Sequence, residues 1–239
     1  MVPTRRSAAR RSAGPAASAQ AKATRDAEAT RANILAAGLA EFAEKGLQGA
    51  RMDAVAKRAG CNKAMIYHYF SSKDGLFSAA LEKNYANIRE AERQLDLSHQ
   101  DPVDAMRALI GFSFDYVSAH PEFISLINDE NLHGGVHVEH SAAARDLNSP
   151  LVGTIREILD KGCRDGRFRP DVDAVQLYIS IASICYFFIA NRPTLSAIFD
   201  LPRTPEILAQ RRQHVIDVVL GYLRPDAPDA PPGTKALTP

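Results

Sequence analysis

The sequence predicts an all-α protein, and three observations carry that prediction. Hydrophobic residues make up 46% of the 239 residues, and they recur at three- and four-residue spacing instead of alternating. Helix-forming residues dominate, with little β-branched alternation. Glycines and prolines fall between the periodic stretches, at Pro121, Gly134-Gly135, Gly162, Gly166, Pro170, Pro193 and Pro202, where they punctuate helices.

A first helix is predicted from about Asp26 to Lys45, because Ile34, Leu35, Leu39 and Phe42 share one face. Gly46 follows as a stop, and Lys45 suits the negative end of the helix. A second helix covers about Met52 to Arg58 and buries Val55, Ala56 and Ala59 against the first. Gly60 makes the turn, and Asn62 caps a third helix from Lys63 to Tyr69 by accepting from the amides it starts. Ser71 or Ser72 caps a long fourth helix from Lys73 into the 90s, whose early apolar face is Leu76, Phe77 and Ala80. The character changes over Ser98–Pro102, and further helices are expected at about 102–119, 121–132, 143–164, 171–191 and 204–223. Residues 225–239, with five prolines, are expected to form a disordered tail.

The formal net charge of +1 hides an asymmetry. Residues 1–25 hold Arg5, Arg6, Arg10, Arg11, Lys22 and Arg25 with no acid, a charge of +6 that leaves −5 for the rest. This stretch is rich in Ala, Ser and Arg and has no apolar run, which excludes a secretory signal. Its composition mimics an organelle transit peptide, and a disordered basic extension is the simpler expectation, since it cannot bury enough apolar area to fold. The longest uncharged run, residues 174–190, is 17 residues broken by Gln176, Ser180 and Ser183. It falls short of the roughly 20 residues of a membrane span and is expected to be a buried bundle helix in a soluble, cytoplasmic protein. Cys61, Cys163 and Cys185 are odd in number and far apart, which argues against a disulfide framework and for a reducing compartment. Cys61, beside the turn, reads as a small apolar filler in preference to a redox switch.

Chemistry concentrates in Met52–Lys73, MDAVAKRAGCNKAMIYHYFSSK. Small residues where two helices touch, a tight turn, and a second helix with a free outer face are what a helix-turn-helix requires. With Ile66 and Phe70 turned to the core, Lys63, Ala64, Met65, Tyr67 and His68 face outward. Lys63 can reach a base edge or a phosphate, while Ala64 and Met65 are apolar enough to meet a thymine methyl. Tyr67, His68 and Tyr69 carry hydrogen-bonding tips suited to phosphate oxygens. Lys73 adds charge at a helix N-terminus, where the dipole already favours an anion, and Arg51 can clamp the backbone from the start of the second helix. Aromatics at a helix end are usually core and scattered lysines usually solvated; the ordered combination is what points to DNA.

From about Thr30 to Leu81, in ILAAGLAEFAEKG, MDAVAKRAG, NKAMIYHYF and SKDGLF, the sequence resembles the TetR family of bacterial transcriptional repressors. The Tyr-His-Tyr-Phe block followed by Ser-Ser-Lys is the most specific part of that match. By that resemblance Lys63, Ala64, Met65, Tyr67, His68 and Lys73 fall on DNA-contacting positions. Ala50 and Arg51 replace the Thr or Ser that commonly caps the second helix, and Asn62 and Ala64 stand where Ser and Gly are frequent.

Between the basic extension (1–25) and the tail (225–239), both read from composition, the resemblance implies a three-helix DNA-binding domain (26–84) and a helical ligand-binding and dimerisation domain (85–224). It also implies a homodimer on a palindromic double-stranded DNA operator, with the helices near 171–191 and 204–223 forming the twofold bundle. Val175, Ile179, Ala182 and Tyr186 line one apolar face, and Val215, Val218, Val219 and Tyr222 the other; an internal core would give the same periodicity. HPEFISLINDENLHGG and HVEHS are similar to the effector domains of the pyrimidine-utilisation regulator branch. An effector pocket is expected near Phe112, Tyr116, Phe123, Ile127, Asn131, Tyr178, Ser183 and Phe187, whose aromatic walls and few polar groups fit a small organic molecule. His133, His137 and His140, with Glu139, raise a metal hypothesis, but Gly134 and Gly135 break the helix and no cysteine is near, so no metal is assigned. No cofactor is called for. The expected function is a ligand-released repressor, with an activator or a ligand-independent architectural protein as alternatives. An enzyme is disfavoured, since no phosphate loop, metal cluster or Ser-His-Asp arrangement can be assembled.

Overall fold

The computed structural model describes residues 15–225. Eleven α-helices and one short 3₁₀ turn account for the regular structure among these residues. The N-terminal head comprises α1 (Pro15–Gly49), α2 (Met52–Ala59), α3 (Lys63–Phe70) and the first half of α4 (Lys73–Arg93). After the 3₁₀ turn Leu97–His99 come α5 (Pro102–Ala119), α6 (Pro121–Leu132), α7 (Val136–Glu139) and α8 (Ala142–Arg164). The chain ends in α9 (Ala174–Ala190), α10 (Arg192–Ile198) and α11 (Pro205–Leu223).

Local signals place most of the boundaries. Gly46 is non-helical (φ 67°, ψ 173°) and breaks α1 one residue after Lys45, where the sequence predicts a stop. Gly60 ends α2 in the left-handed region (φ 66°), which glycine enters without a Cβ penalty. Asn62 Oδ1 accepts from Met65 N at 3.0 Å and Ser72 Oγ from Gly75 N at 2.9 Å, so Asn62 and Ser72 cap α3 and α4. A side chain at Gly75 would strike the Phe70 carbonyl, its Cβ falling 2.1 Å from that oxygen.

Three differences from the sequence reading have physical causes. Helix α1 begins at Pro15, so residues 15–25, assigned to a disordered extension, are helical. That stretch is alanine-rich and extends a helix already nucleated by its packed half. Residues 1–14 of that extension and 226–239 of the predicted tail lie outside the described residues. Pro193, read as a stop, sits in the first turn of α10, where its missing N–H costs nothing. The four-residue α7 was too short to show a period.

Two apolar cores form. One gathers Ile34, Phe42, Val55, Ile66, Phe70, Leu76 and Phe77 in the head, and Leu126 from α6 is fully buried within it. The other packs α5, α8, α9 and α11 around Met106, Ile110, Phe114, Ile155, Ile181 and Val215. Among the described residues no single helix is long and apolar enough to cross a membrane; α9 and α10 meet the test only as a pair bent by 68°.

Candidate nucleic-acid interface and effector cavity

The outer surface of α3 is built by burying the opposite side. Ile66 and Phe70 are in the head core, whereas Lys63, Ala64, Tyr67 and His68 are exposed. Met65 and Tyr69 are half-buried against the same core, so only part of each side chain faces out. Arg51 is exposed just before α2. Its side chain caps nothing; instead its amide donates to Glu41 Oε1 at 3.2 Å, and the buried Glu41 also lies 3.5 Å from Arg58 Nε. A carboxylate from α1 thus accepts the N–H of the capping residue, a different donor from the amides inside α2 that a Thr or Ser hydroxyl at position 51 would serve. Arg58 is further committed to Glu44 at 2.7 Å, a hydrogen bond that holds the Glu44 carboxyl below its usual range.

Two of the predicted lysines also have partners within the head. Lys63 Nζ is 3.2 Å from Asp53 Oδ1, across the helix-turn-helix, with both side chains exposed. Lys73 Nζ donates to the Gln48 carbonyl at 3.1 Å and so closes the end of α1. Arg31, which the sequence reading passed over, lies on α1 with its guanidinium 4.9 Å from the centre of the Phe70 ring. It brings the charge of the first helix to the end of α3.

Beyond the head, a cavity of about 280 Å³ opens between α4, α5, α6 and α9. Tyr85, Ile88, Arg89 and Glu92 line it from α4, Ser113 and Val117 from α5, and Phe123, Ile127 and Asn131 from α6. Tyr178, Ala182, Ser183, Cys185 and Tyr186 close it from α9. Phe123, Ile127, Asn131, Tyr178 and Ser183 are therefore brought together as the sequence placed them. Tyr116 and Phe112 are not in the wall: Tyr116 is buried behind Phe123, edge-on at 5.9 Å, and Phe112 packs on Tyr116 at 5.6 Å. Phe187 points the other way, 57% exposed on the outer side of α9. The α4 residues went unread because a helix carrying Arg and Glu looks solvated in sequence.

Arg89 and Glu92 are the charged pair of this cavity. Both side chains are 7% exposed, and Arg89 Nη1 lies 2.5 Å from Glu92 Oε2. Burial pushes the Glu92 carboxyl up to about 7, against the downward pull of Arg89. Arg89 Nη2 makes a long bond of 3.3 Å to the Tyr178 hydroxyl, and Nε is buried with no hydrogen-bond partner among the described residues. Burial raises the Tyr85 and Tyr186 phenols and pushes the Cys185 thiol up to about 12, so Cys185 is a thiol and no nucleophile.

The histidines serve the joint between head and cavity. His137 Nδ1 is 2.6 Å from Glu130 Oε2, and its ring meets Phe77 edge-on at 4.9 Å. His133 Nδ1 faces the Asp129 carbonyl at 2.7 Å and its Nε2 faces Gln48 at 3.2 Å, while His140 Nδ1 faces the Val136 carbonyl. Among the described residues no three His, Cys, Asp or Glu side chains converge on a point that would hold a metal.

The apolar faces proposed for dimerisation divide. Val175, Ile179 and Phe187 of α9, and Val218 and Tyr222 of α11, are exposed at 42–57%. Val215 and Val219 are buried inside the protein, and Ala182 and Tyr186 line the cavity, so these four belong to the interior.

Comparison with known proteins agrees with both halves. The model of the bacterial regulatory proteins of the tetR family matches residues 34–80, and that of the tetracyclin repressor-like C-terminal domain matches 102–219. The chain is 42% identical over 171 residues to the HTH-type transcriptional repressor NicS of Pseudomonas putida, covering 72% of this chain and 81% of that one. It is 36% identical over 143 residues to an HTH-type transcriptional repressor of Streptomyces coelicolor, covering 59% and 70%. Among solved structures, a transcriptional regulator from Streptomyces coelicolor superposes with a TM-score of 0.61 at 27% identity, over 81% of this chain and 98% of that one. A TetR regulator from Chloroflexus aurantiacus shares the fold, with a TM-score of 0.66 at 22% identity over 84% and 98%. A head whose α3 presents Lys63, Tyr67 and His68, joined to a helical body that matches the tetracyclin repressor-like C-terminal domain, leaves one assignment: the chain belongs to the TetR family, DNA-binding transcriptional regulators that are not enzymes.

Proposed function

We propose that the protein is a homodimeric cytoplasmic repressor that holds a palindromic operator through Arg51, Lys63, Ala64, Met65, Tyr67, His68, Tyr69 and Lys73. A small molecule entering the cavity between α4, α5, α6 and α9 releases it. Repression, in preference to activation, is supported by relatives named as repressors.

One observation carries the coupling: two helices belong to both halves at once. Helix α4 gives Leu76, Phe77 and Ala80 to the head core and Tyr85, Ile88, Arg89 and Glu92 to the cavity. Helix α6 gives Leu126 to the head core and Phe123 and Ile127 to the cavity, while Asp129 Oδ2 accepts from Leu47 N at 2.5 Å. A ligand that prefers one setting of α4 and α6 therefore acts on the angle of the head, and its differential affinity sets how far the equilibrium moves. In a dimer, shifting the two α3 helices away from a separation of about 34–36 Å, one turn of DNA, weakens operator binding.

Selection of bound DNA from a random pool tests this reading. It should return a palindrome whose half-sites lie one helical turn apart, and transcription through that site should fall when the protein is added. A single unpaired half-site would overturn the dimer, and increased transcription would make the protein an activator.

A further inference from the structure

The charged pair in the cavity points to the chemistry of the effector. We propose that the effector is a small organic monoanion, a carboxylate on an apolar body, and that Arg89 is its counter-ion. This rests on the reading of that cavity as the effector site.

Three features of the cavity support it. First, Arg89 is the one cationic side chain among the described residues that line it, and Glu92 the one anionic. A guanidinium cannot shed its proton, so this charge stays in the wall and requires a partner. Second, the guanidinium is only half used. Glu92 takes Nη1, whereas the edge formed by Nε and Nη2 holds an unpartnered buried donor and one long bond to a phenol. That edge is the planar two-donor fork that a carboxylate fits with two parallel bonds. Third, the remaining wall is uncharged and small, its polar groups limited to neutral ones such as the Tyr85, Ser113 and Ser183 hydroxyls and the Asn131 amide. Ile88, Val117, Phe123 and Ile127 surround about 280 Å³. An apolar cavity of about 150 Å³ accepts benzene, so this volume admits one substituted ring or a short chain.

Glu92 is the internal competitor. It sits three residues from Arg89 on the same helix and occupies the guanidinium from the side that also borders a second cavity, lined by Asp96, His99 and Leu151. An incoming carboxylate takes the Nε–Nη2 edge, shares the positive charge and loosens the hold of Glu92. The pair bridges one turn of α4, the helix that continues into the head, so the exchange occurs on the element that carries the signal.

The test measures binding of benzoate, phenylacetate and hexanoate, each beside its neutral primary amide, to the full chain by calorimetry and thermal shift. At least one acid should bind, with its amide at least about tenfold weaker, in line with the strength of a charge-assisted hydrogen bond. Glu92→Gln should tighten that acid several-fold, because the competing charge is gone, and Arg89→Met should abolish its binding while Arg89→Lys retains part of it. Acid and amide binding alike, no acid binding at all, or weaker acid binding by Glu92→Gln would each overturn the proposal. If Arg89→Met fails to fold, the acid–amide comparison and Glu92→Gln still decide. Operator release is measured separately. Acid binding that depends on Arg89 without release leaves the anion site standing and removes the repressor-release reading. Release by neutral molecules alone does the reverse.

Discussion

Tyr67 and Lys73 share the outer surface of the head but are held differently. The Tyr67 side chain is 43% exposed on α3, whereas Lys73 already donates to the Gln48 carbonyl. Tyr67→Phe removes only the hydroxyl, so it should weaken binding to all DNA sequences alike by about 0.5–1.5 kcal/mol and leave the melting temperature unchanged. A loss confined to one base position in a binding-site comparison would make Tyr67 a base reader instead. Lys63→Ala should reduce the slope of log affinity against log salt by about one, as expected for one phosphate contact; an unchanged slope would assign Lys63 to its ion pair with Asp53 alone. Glu92 sets a pH dependence. Its folded pKa of about 7 stands above the ordinary carboxyl value of 4.5, so the folded state holds a proton that the unfolded state releases between these values. Its contribution to stability is complete below about pH 4.5 and is lost as pH rises through about 7, by about 3 kcal/mol at most. Glu92→Gln should flatten the stability curve across that window in chemical denaturation, and a variant as steep as the parent would move the titration to another group. The caps at Asn62 and Ser72 were legible because each acts within three residues of itself. The acceptor for Arg51 was not, because Glu41 lies ten residues back and reaches it only once α1 and α2 pack.

At the scale of the element, periodicity and punctuation gave α2, α3, α5 and α6 nearly to the residue, since capping and apolar spacing are local properties. What they could not give is which helix serves two cores. In sequence α6 is a short amphipathic helix, but its faces have different neighbours: Phe123 and Ile127 look into the cavity, and Leu126 and Asp129 into the head. The outward turn of Phe187 was hidden because an aromatic reads as core, although the exposed Gln176, Ser180 and Ser183 recur at helical spacing along the side of α9 that carries it. Asp129→Ala separates these roles. It removes the acceptor for Leu47 N, at a cost of about 1–3 kcal/mol for a part-buried donor left unpaired, without touching the cavity wall. Effector affinity should persist while the effector's influence on operator affinity shrinks. Full coupling in Asp129→Ala, measured by titrating operator with and without effector, would place the transmission in α4 alone.

For the whole molecule the deciding feature is an apolar surface that the described residues leave uncovered. Val175, Ile179 and Phe187 recur every four or eight residues along α9, and Val218 and Tyr222 are four apart on α11, which packs beside it. Phe199 and Ile198, both 64% exposed, extend the apolar surface from α10. Scattered apolar residues on a surface need no explanation, but two aligned rows on neighbouring helices mark an association site. In the homodimer proposed above, a second copy of the same chain covers this face by twofold symmetry, placing like rows against each other. Operator affinity in that dimer depends on this face, because one bound head holds the other at high local concentration over its half-site. Ile179→Asp combined with Val218→Asp places charges on the two rows without altering either core. The double variant should keep its helical signal, sediment as a monomer and bind a full palindrome no more tightly than a single half-site, a loss of roughly a hundredfold or more from the linked state. A dimer of undiminished stability by analytical ultracentrifugation would move the interface off α9 and α11.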